Sequence, residues 1–586
     1  MSDRIIGHYG VREVAMLVRD SLWLKCSILV TVFIVAMVGL IACGGKEKIS
    51  KWKGDPLVQT RYGLVQGFPD QNNTWVWKAI PFARPPAGDL RWKAPREPER
   101  WQGIRAEKDF CQPCMQFDPV TGKILGSEDC LYLNIWRPRT EEVKLPVYVW
   151  IHGGGNSIGY RGDQAYWGAN FAAKANAVFV SLNYRLGPLG WFVHPALRTG
   201  NKLDDSGNYG TLDIIQALRW VQENIEAFGG NPENVTIAGE SAGGVNVLSL
   251  LLSPIATGLF HKAVVQSGAV PGIPMEIGEA SANEVLLRLL VNDGTAADEA
   301  EAARRISVMS DSEITAYLKS KSYQELYACY EKSRLGFGLL EFPFIFADGT
   351  VIASEGREAF TMGTYPNKVP MILGTNKDET KLFLYFSPAF PDKDSALYQT
   401  VAEYTSKLWK IAAADGLARK LRSHPDQPDL YVYQFLWGSI RDDGESVLPE
   451  PFGSHLGSFH SLDVSFFLGN EFGIEDHLKL AGIEIKTEQN RAGRVALQDA
   501  IVSYLAQFIR TGDPGTGLPG SGLPRWDPWS NREGEPKYIL LDATYNSLDV
   551  RMSTVELVEA DIEAEIESLP DEIARAIKAT NLFQNL

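Results

Sequence analysis

The sequence predicts an α/β fold in which a central, mostly parallel β-sheet is flanked by helices. Short apolar runs, typical of buried strands, alternate along the chain with longer segments of helical pattern such as Leu212–Phe228. The predicted strands are Val147–Ile151, Val178–Leu182, Val235–Ala238, Ala263–Val265, Pro370–Leu373 and Leu430–Phe435. No internal repeat interrupts this alternation.

A short stretch around Ser241 predicts a strand, a sharp turn and a helix. Val235–Ala238 is the strand, and Ala242–Leu252 is apolar enough to run into the core as a helix. Gly239 and Gly243 flank the serine with G-x-S-x-G spacing, where larger side chains would collide with the strand or the helix. A serine held in this way lies at a helix N-terminus, which favours a developing oxyanion. Ser241 is therefore the predicted nucleophile.

A second G-x-S-x-G stretch contains Ser157, but it follows a glycine run and leads into polar and aromatic loop sequence. Ser157 is for that reason the weaker candidate. The glycine run itself, His152–Gly155, ends a predicted strand. Glycines let several backbone N–H groups approach one oxygen atom, so we expect Gly154 and Gly155, together with the N–H of Ala242, to form an oxyanion hole.

Further motifs accompany these two. They are Ala79–Pro86 (AIPFARPP), Ser127–Asn134 (SEDCLYLN), Asn183–Gly190 (NYRLGPLG), Asn208–Gly210 (NYG), Phe228–Thr236 (FGGNPENVT), Gly374–Glu379 (GTNKDE) and Gly512–Pro514 (GDP). With them, the chain from about Pro56 to Trp529 resembles the type-B carboxylesterases, the family that includes cholinesterases and many bacterial esterases. The resemblance implies an α/β-hydrolase fold with helical cap insertions and a serine esterase that needs neither a metal nor an organic cofactor.

The remaining triad members follow from chain order and from the resemblance. In α/β-hydrolases an acid and then a histidine come after the serine. Glu379 follows a predicted strand and matches the family's triad glutamate, with Asp378 as the nearest competitor. His460 lies in the segment that matches the family's histidine, whereas His455 lacks the downstream Phe-Phe pattern at the right offset. Such distant residues must converge, which favours one large domain.

Two other carboxylates near these motifs are predicted to be structural. Glu240 is the direct neighbour of the nucleophile, so we expect its side chain to point away from the site and to be buried. The resemblance implies that Glu128 forms a structural ion pair with Arg91.

The start of the chain predicts export. Cys26–Ala42 is an apolar run that follows basic residues and leads to Cys43 in a Leu-Ile-Ala-Cys sequence, which resembles a bacterial lipobox. We expect residues 1–43 to be a signal peptide, with Met16 as an alternative start, a lipid on the Cys43 thiol and a tether over residues 44–55. The predicted product is an exported lipoprotein, anchored to a membrane on the periplasmic or cell-surface side. An uncleaved anchor and a soluble secreted protein are the alternatives.

Four of the six cysteines lie beyond this leader. The resemblance implies a disulfide between Cys114 and Cys130, which fits an oxidising compartment. The sequence leaves open whether Cys111 is free, competes for Cys130 or pairs with Cys329.

The sequence predicts a catalytic domain over residues 56–552, with a helix-rich cap at 278–334. A charged helical tail at 553–586 is expected to pack as a solvated helix. The net charge of −15 disfavours a basic surface that could bind nucleic acid, so nucleic acid is not expected as a partner. The sequence does not indicate an oligomeric state.

The expected substrates are uncharged, largely apolar small-molecule esters. The interval between Cys114 and Cys130 contains no tryptophan, whereas cholinesterases carry their cation-binding tryptophan in that loop, so choline esters are disfavoured. Asn156 stands where many relatives have an aromatic residue, which leaves the shape of the acyl pocket open. The alternatives are an amide, carbamate or lactone hydrolase with the same triad, or a non-catalytic adhesion relative, which the intact triad disfavours.

Overall fold

An 11-stranded β-sheet forms the centre of the computed structural model, which describes residues 51–119, 121–333, 336 and 339–580. In chain order its strands are β1 Phe68–Asp70, β2 Thr74–Pro81, β3 Tyr132–Pro138, β4 Leu145–Ile151, β5 Val178–Leu182, β6 Gly230–Glu240, β7 Lys262–Gln266, β8 Met371–Asn376, β9 Leu430–Phe435, β10 Tyr538–Ala543 and β11 Leu548–Ser553. Across the sheet the order is β11-β10-β9-β8-β7-β6-β4-β5-β3-β2-β1.

The seven neighbouring strands β5, β4, β6, β7, β8, β9 and β10 are parallel, and antiparallel strands are added at both edges. In the middle, Ile237 of β6 pairs with Val149 of β4 on one side and with Ala263 of β7 on the other. Helices cover both faces of such a parallel block, which is why its strands are almost continuously apolar. The predicted fold class, an α/β-hydrolase fold with a mostly parallel sheet, is confirmed.

Eighteen α-helices are present within the described residues, several of them a single turn long. They are α1 Ala169–Ala175, α2 Gly187–Gly190, α3 Tyr209–Asn224, α4 Ala242–Leu251, α5 Met275–Asn292, α6 Glu299–Ile306, α7 Asp311–Ser320, α8 Tyr323–Ala328, α9 Glu358–Met362, α10 Lys381–Phe386, α11 Ala396–Lys410, α12 Gly416–Arg422, α13 Phe452–His455, α14 Val464–Phe467, α15 Ile474–His477, α16 Glu488–Thr511, α17 Glu559–Glu567 and α18 Asp571–Ala579. A π-helical turn at Ile411–Asp415 joins α11 to α12.

The predicted elements correspond closely to the observed ones. The strands Val178–Leu182 and Leu430–Phe435 have the predicted bounds. The predicted helix Leu212–Phe228 is α3 followed by a 3₁₀ turn at Ile225–Phe228. The cap region holds α5 to α8, and its first helix begins at Met275.

The C-terminal tail differs from the single solvated helix that the sequence predicts. The strand β11 extends the sheet to Ser553, and two helices follow it. Ile562, Ile566 and Ile577 of these helices are buried in a cluster with α11 residues such as Tyr398. The packing of these helices could not be predicted from the sequence, because most of their residues are charged and a few apolar positions suffice to dock a short helix.

A disulfide joins Cys114 to Cys130, while Cys111 and Cys329 are free thiols, so neither alternative pairing of Cys111 is present. The predicted signal peptide, with Met16 and Cys43, lies outside the described residues. Among the helices that the structure does describe, none has the length and apolar character needed to cross a membrane.

Candidate active site

Ser241 occupies a strained turn between β6 and α4. Its backbone has φ 57° and ψ −125°, a conformation that non-glycine residues rarely adopt and that is typical of functional sites. The glycines on both sides allow the turn to close. A Cβ atom at Gly239 would lie 2.5 Å from the Gly243 carbonyl carbon, and one at Gly243 would lie 2.1 Å from the Ile151 carbonyl oxygen. The G-x-S-x-G spacing therefore has the steric cause expected from the sequence.

The predicted oxyanion-hole residues lie beside this turn. Gly154 and Gly155 have positive φ values of 101° and 59°, and a Cβ atom at Gly154 would lie 2.3 Å from the Ile158 carbonyl oxygen. Within the described part of the chain, the N–H groups of these two glycines donate to no protein acceptor. Ala242 is the first residue of α4, so its N–H has no intrahelical acceptor either. Three free donors are thus available near Ser241.

His460 and Glu379 form a tight buried pair. His460 Nδ1 lies 2.6 Å from Glu379 Oε2, and the His460 N–H donates to the Glu379 carbonyl at 3.3 Å. Glu379 follows β8, where its Oε1 also accepts hydrogen bonds from the Asn376 N–H at 2.8 Å and from the Ser267 hydroxyl at 2.5 Å. The carboxylate is fully buried. It can hold one imidazole tautomer and stabilise an imidazolium.

Glu240 is oriented differently from the sequence prediction. Its carboxylate is buried, but instead of pointing away it reaches His460, with Oε1 3.1 Å from Nε2 and accepting from the Ser461 hydroxyl at 2.7 Å. Side chains alternate between faces only in extended strands. Ser241 leaves the strand with a positive φ, so its neighbour is not forced to the opposite side. Within the described residues, Ser241 Oγ makes no hydrogen bond with His460, whose Nε2 faces Glu240 instead.

A third carboxylate, Asp463, adds to the negative charge around the imidazole. Its Oδ2 accepts from the Tyr433 hydroxyl at 2.7 Å and from Gln266 Nε2 at 3.3 Å. Burial and the nearby charge of Glu240 raise the Asp463 pKa to about 7. Burial alone would lower the His460 pKa, but the charges of Glu240 and Glu379 outweigh it and raise that pKa above its usual value.

The competing candidates lie elsewhere. Asp378 Oδ2 accepts from the Ser458 N–H at 3.0 Å, and its carboxylate pairs with Lys381 rather than with His460. His455 Nε2 lies 2.8 Å from the exposed Asp394. The Ser157 hydroxyl bonds the Gly155 carbonyl and accepts from the Leu340 N–H, so it is part of a loop contact. Arg91 and Glu128 form the structural ion pair that the resemblance implies.

Two residues of the site were missed by the sequence analysis. Ser267, with φ 54°, follows β7 and donates to Glu379. Trp409 of α11 donates its indole N–H to the Ser267 carbonyl at 3.2 Å and packs on the His460 ring with centroids 4.9 Å apart. Neither residue lies in a recognisable motif. Ser267 could have been found from the strand order, because β7 and β8 are parallel neighbours and the residues that follow their carboxyl ends lie close together.

An apolar side chain lies beside the glycine loop, which comprises residues 152–156. Leu339 approaches Gly155 closely, since a Cβ there would meet its Cδ2 at 3.1 Å. Phe342 and Phe344 follow in the chain, with ring centroids 5.4 Å apart, and Phe344 packs against Trp191. In the described ranges, no group of histidine, cysteine and carboxylate side chains is arranged to hold a metal ion.

Comparisons with known proteins agree with this geometry. Residues 54–424 match the sequence profile of the carboxylesterase family. The chain is 32% identical over 475 residues to the para-nitrobenzyl esterase of Bacillus subtilis, covering 78% of this chain and 91% of that protein. It is also 32% identical to carboxylesterase 1E of Rattus norvegicus over 538 residues, covering 83% of this chain and 88% of that one.

Solved structures give the same result. A carboxylesterase of Geobacillus stearothermophilus superposes with a TM-score of 0.62 at 30% identity, covering 85% of this chain and 98% of that one. A PNB esterase superposes with a TM-score of 0.63 at 28% identity, covering 87% and 99% of the two chains. Profile, sequence and structure thus agree over most of the chain, which belongs to the carboxylesterase family and is a hydrolase of carboxylic esters.

Proposed function

We propose that Ser241, His460 and Glu379 act as nucleophile, general base and orienting acid in a serine esterase of uncharged, largely apolar small-molecule esters. The observation that carries the proposal is the 2.6 Å contact of His460 Nδ1 with a fully buried Glu379, next to a serine in a strained strand–helix turn. This contact assigns His460 Nδ1 to Glu379 and leaves Nε2 as the nitrogen that exchanges a proton with Ser241.

The reaction proceeds through an acyl-enzyme. Ser241 Oγ attacks the ester carbonyl carbon while His460 Nε2 takes the hydroxyl proton. The carbonyl oxygen becomes an oxyanion, which the free N–H groups of Gly154, Gly155 and Ala242 stabilise. The tetrahedral intermediate collapses, and the alcohol leaves with the proton from His460. Water, deprotonated by His460, then attacks the acyl carbon and releases the acid and Ser241.

His460 Nε2 must turn from Glu240 towards Ser241 for this first step. The free protein shows Nε2 near Glu240 Oε1, and catalytic hydrogen bonds are often long or absent before substrate binds. Glu240 then serves as a second negative charge that stabilises the imidazolium once it forms. The charge of Asp463 also raises the His460 pKa, so it stabilises the imidazolium in the same way from a greater distance.

The substrate class is inferred from the walls of the site and from the relatives. Leu339 lies against Gly155, and apolar walls of this kind favour acyl or alcohol groups without charge. The relatives include proteins named for p-nitrobenzyl esters and for fatty acyl-CoA hydrolysis. The first name supports an ester substrate with an aromatic part, and the second supports an apolar acyl group.

The test combines labelling with a paired substrate series. Protein without residues 1–43 is treated with a fluorophosphonate and mapped by peptide mass spectrometry, with Ser241→Ala, His460→Ala and Ser157→Ala as variants. We expect a single adduct on Ser241, lost in the first two variants and retained in the third. Hydrolysis of p-nitrophenyl acetate and butyrate, but not of the matching p-nitroanilides, supports the ester function. Absence of an adduct on folded wild type would refute it, and faster anilide cleavage would favour an amide hydrolase.

We further propose that the chain is exported and anchored through a lipid on Cys43. The support is the apolar run before the Leu-Ile-Ala-Cys sequence, and the Cys114–Cys130 disulfide, which fits an oxidising compartment. Metabolic labelling with an alkyne fatty acid in a bacterial host tests this, with Cys43→Ser as the control. Labelling that survives in Cys43→Ser, or no labelling at all in the membrane fraction, would contradict lipidation at this residue.

A further inference from the structure

The glycine loop and the nucleophile helix are joined by a side-chain hydrogen bond that no motif contains. Asn246 Nδ2, on α4, donates to Asn156 Oδ1 at 2.9 Å. Both residues are fully buried, and they lie 90 positions apart in sequence. Asn156 directly follows Gly155, and Asn246 lies in the second turn of the helix that begins after Ser241. The bond therefore connects the two elements that carry the proposed oxyanion donors.

The backbone at Asn156 explains why an asparagine is suited to this position. Its φ is 52°, and it continues the positive φ values of Gly154 and Gly155. Among non-glycine residues, asparagine tolerates this region best, because its short polar side chain adapts to it. The Asn156 carbonyl also accepts from the Gly187 N–H at 2.7 Å. The backbone at Asn156 is thus fixed on the side of Gly187, and its side chain is fixed to α4.

The start of the loop is held by Tyr184, which follows β5. The Tyr184 hydroxyl donates to the His152 carbonyl at 2.7 Å, and its ring stacks on the His152 ring with centroids 4.5 Å apart.

Small displacements at this point have large consequences for catalysis. Donors must lie about 2.7–3.1 Å from the oxyanion, and a misplacement of about 1 Å can cost about 100-fold in rate. The three positive-φ residues at 154–156 have no regular secondary structure to hold them. Glycine loses more conformational freedom on folding than any other residue, so a loop with two adjacent glycines needs further contacts to hold one geometry.

We propose that Asn246 is a positioning residue of the esterase, which, through Asn156, sets the distance between the N–H groups of Gly154 and Gly155 and the N–H of Ala242. The proposal rests on the proposed function, because it concerns the oxyanion hole of the Ser241 nucleophile. It predicts that the pair affects the stability of the tetrahedral transition state and leaves the binding of the ground-state ester unchanged.

Two variants break the bond from opposite ends. Asn156→Gly removes the side-chain acceptor while keeping a residue that adopts φ 52° without strain. Asn246→Leu keeps the branched shape of the side chain and removes the donor. The matched control is Ser249→Ala, because Ser249 is buried on the same helix and, among the residues that the structure describes, its hydroxyl bonds only the Asn246 carbonyl. Thermal unfolding of each variant identifies those that remain folded.

The readouts separate positioning from a general structural role. With p-nitrophenyl acetate, we expect kcat to fall about 10- to 100-fold in Asn156→Gly and in Asn246→Leu, with KM changed less than about threefold. A trifluoromethyl ketone, which forms a tetrahedral adduct, should lose affinity by the same factor as kcat/KM. The double variant should be no slower than the slower single variant, because both substitutions remove the same hydrogen bond. Ser249→Ala should match wild type.

The outcomes are distinguishable. If Asn156→Gly and wild type have equal kcat and equal ketone affinity, the positioning role is refuted while the esterase function stands. Additive losses in the double variant would also refute it, since the residues would then act independently. If wild type neither hydrolyses the ester nor reacts with a fluorophosphonate at Ser241, the proposed function fails and the positioning role fails with it.

Discussion

Glu240 Oε1 lies 3.1 Å from His460 Nε2, the imidazole nitrogen that must accept the proton of Ser241 in the proposed mechanism. The same ring is held at Nδ1 by Glu379. A buried imidazole with a carboxylate at each nitrogen is strongly biased towards its protonated form, which explains the raised His460 pKa. This bias stabilises the imidazolium of the transition state but also reduces the fraction of neutral base before the reaction.

The first prediction concerns the pH dependence of hydrolysis. His460 must be neutral to act as a base, so activity rises as the pH increases through its pKa. Glu240→Gln removes one of the charges that raise this pKa. We expect the acid limb of kcat/KM for p-nitrophenyl acetate to move to lower pH by about one pH unit or more. Glu284→Gln, a surface variant on α5, is the control. An unshifted acid limb in Glu240→Gln would show that Glu240 does not act on the base.

The second prediction concerns stability and Asp463. Its pKa is raised to about 7 in the folded chain by burial and by the charge of Glu240, so between about pH 4 and pH 7 the folded state binds a proton that the unfolded state has released. Stability from this group is therefore lost as the pH rises through 7. Asp463→Asn stays neutral in both states, so its free energy of unfolding should equal that of wild type only below about pH 4, for example near pH 3.5, and should exceed it near pH 8.5.

Denaturant unfolding at both pH values measures this difference. Asn can still accept the hydrogen bond from the Tyr433 hydroxyl, so the comparison isolates the charge. Equal stabilities of the two proteins at pH 8.5 would mean that the Asp463 carboxylate ionises without cost, and the prediction would be wrong.

The parts of the site that could be predicted from sequence have a local steric or chemical cause. The turn at Ser241 is encoded by Gly239 and Gly243, because only glycine fits where the β6–α4 turn packs on Ile151. The bounds of β5 and β9 could be predicted because strands buried on both faces are apolar throughout.

The parts that could not be predicted depend on how distant elements meet. The orientation of Glu240 follows from the positive φ of Ser241, which breaks the alternation of side chains that the sequence argument assumed. Ser267 and Asn246 lie in no motif, and their partners Glu379 and Asn156 are about 100 positions away. Such contacts depend on strand order and on helix rotation, neither of which is visible in the local pattern.

The third prediction concerns Ser267. Its hydroxyl donates to Glu379 Oε1 at 2.5 Å, and together with the Asn376 N–H it orients the carboxylate towards His460. Ser267→Ala should lower kcat about tenfold and destabilise the fold by about 1.5–3 kcal/mol, the usual contribution of a hydrogen bond to a charged group. Ser253→Ala is the matched control, because its buried hydroxyl has no partner within the described residues. Equal kcat values for the two variants would show that Ser267 does not orient Glu379.

The last prediction concerns the C-terminal helices. Ile566 of α17 is 5% exposed and packs in a cluster with α11, the helix whose Trp409 contacts the His460 ring. Ile566→Ala should lower the free energy of unfolding by about 2–5 kcal/mol, because it leaves a cavity between the tail and α11.

Val555→Ala supplies the comparison, since Val555 is 62% exposed and its truncation should stay within about 0.5 kcal/mol of wild type. Thermal and denaturant unfolding measure both variants. Well below the unfolding transition, kcat of Ile566→Ala should remain close to that of wild type. The Asp415 carboxylate, in the π-helical turn after α11, still joins the end of this helix to the tail, because it pairs with Lys410 and accepts from the Leu557 N–H at 2.8 Å. If the two variants were equally stable, the tail would be a solvated appendage, as its charged sequence suggests, rather than part of the packed domain.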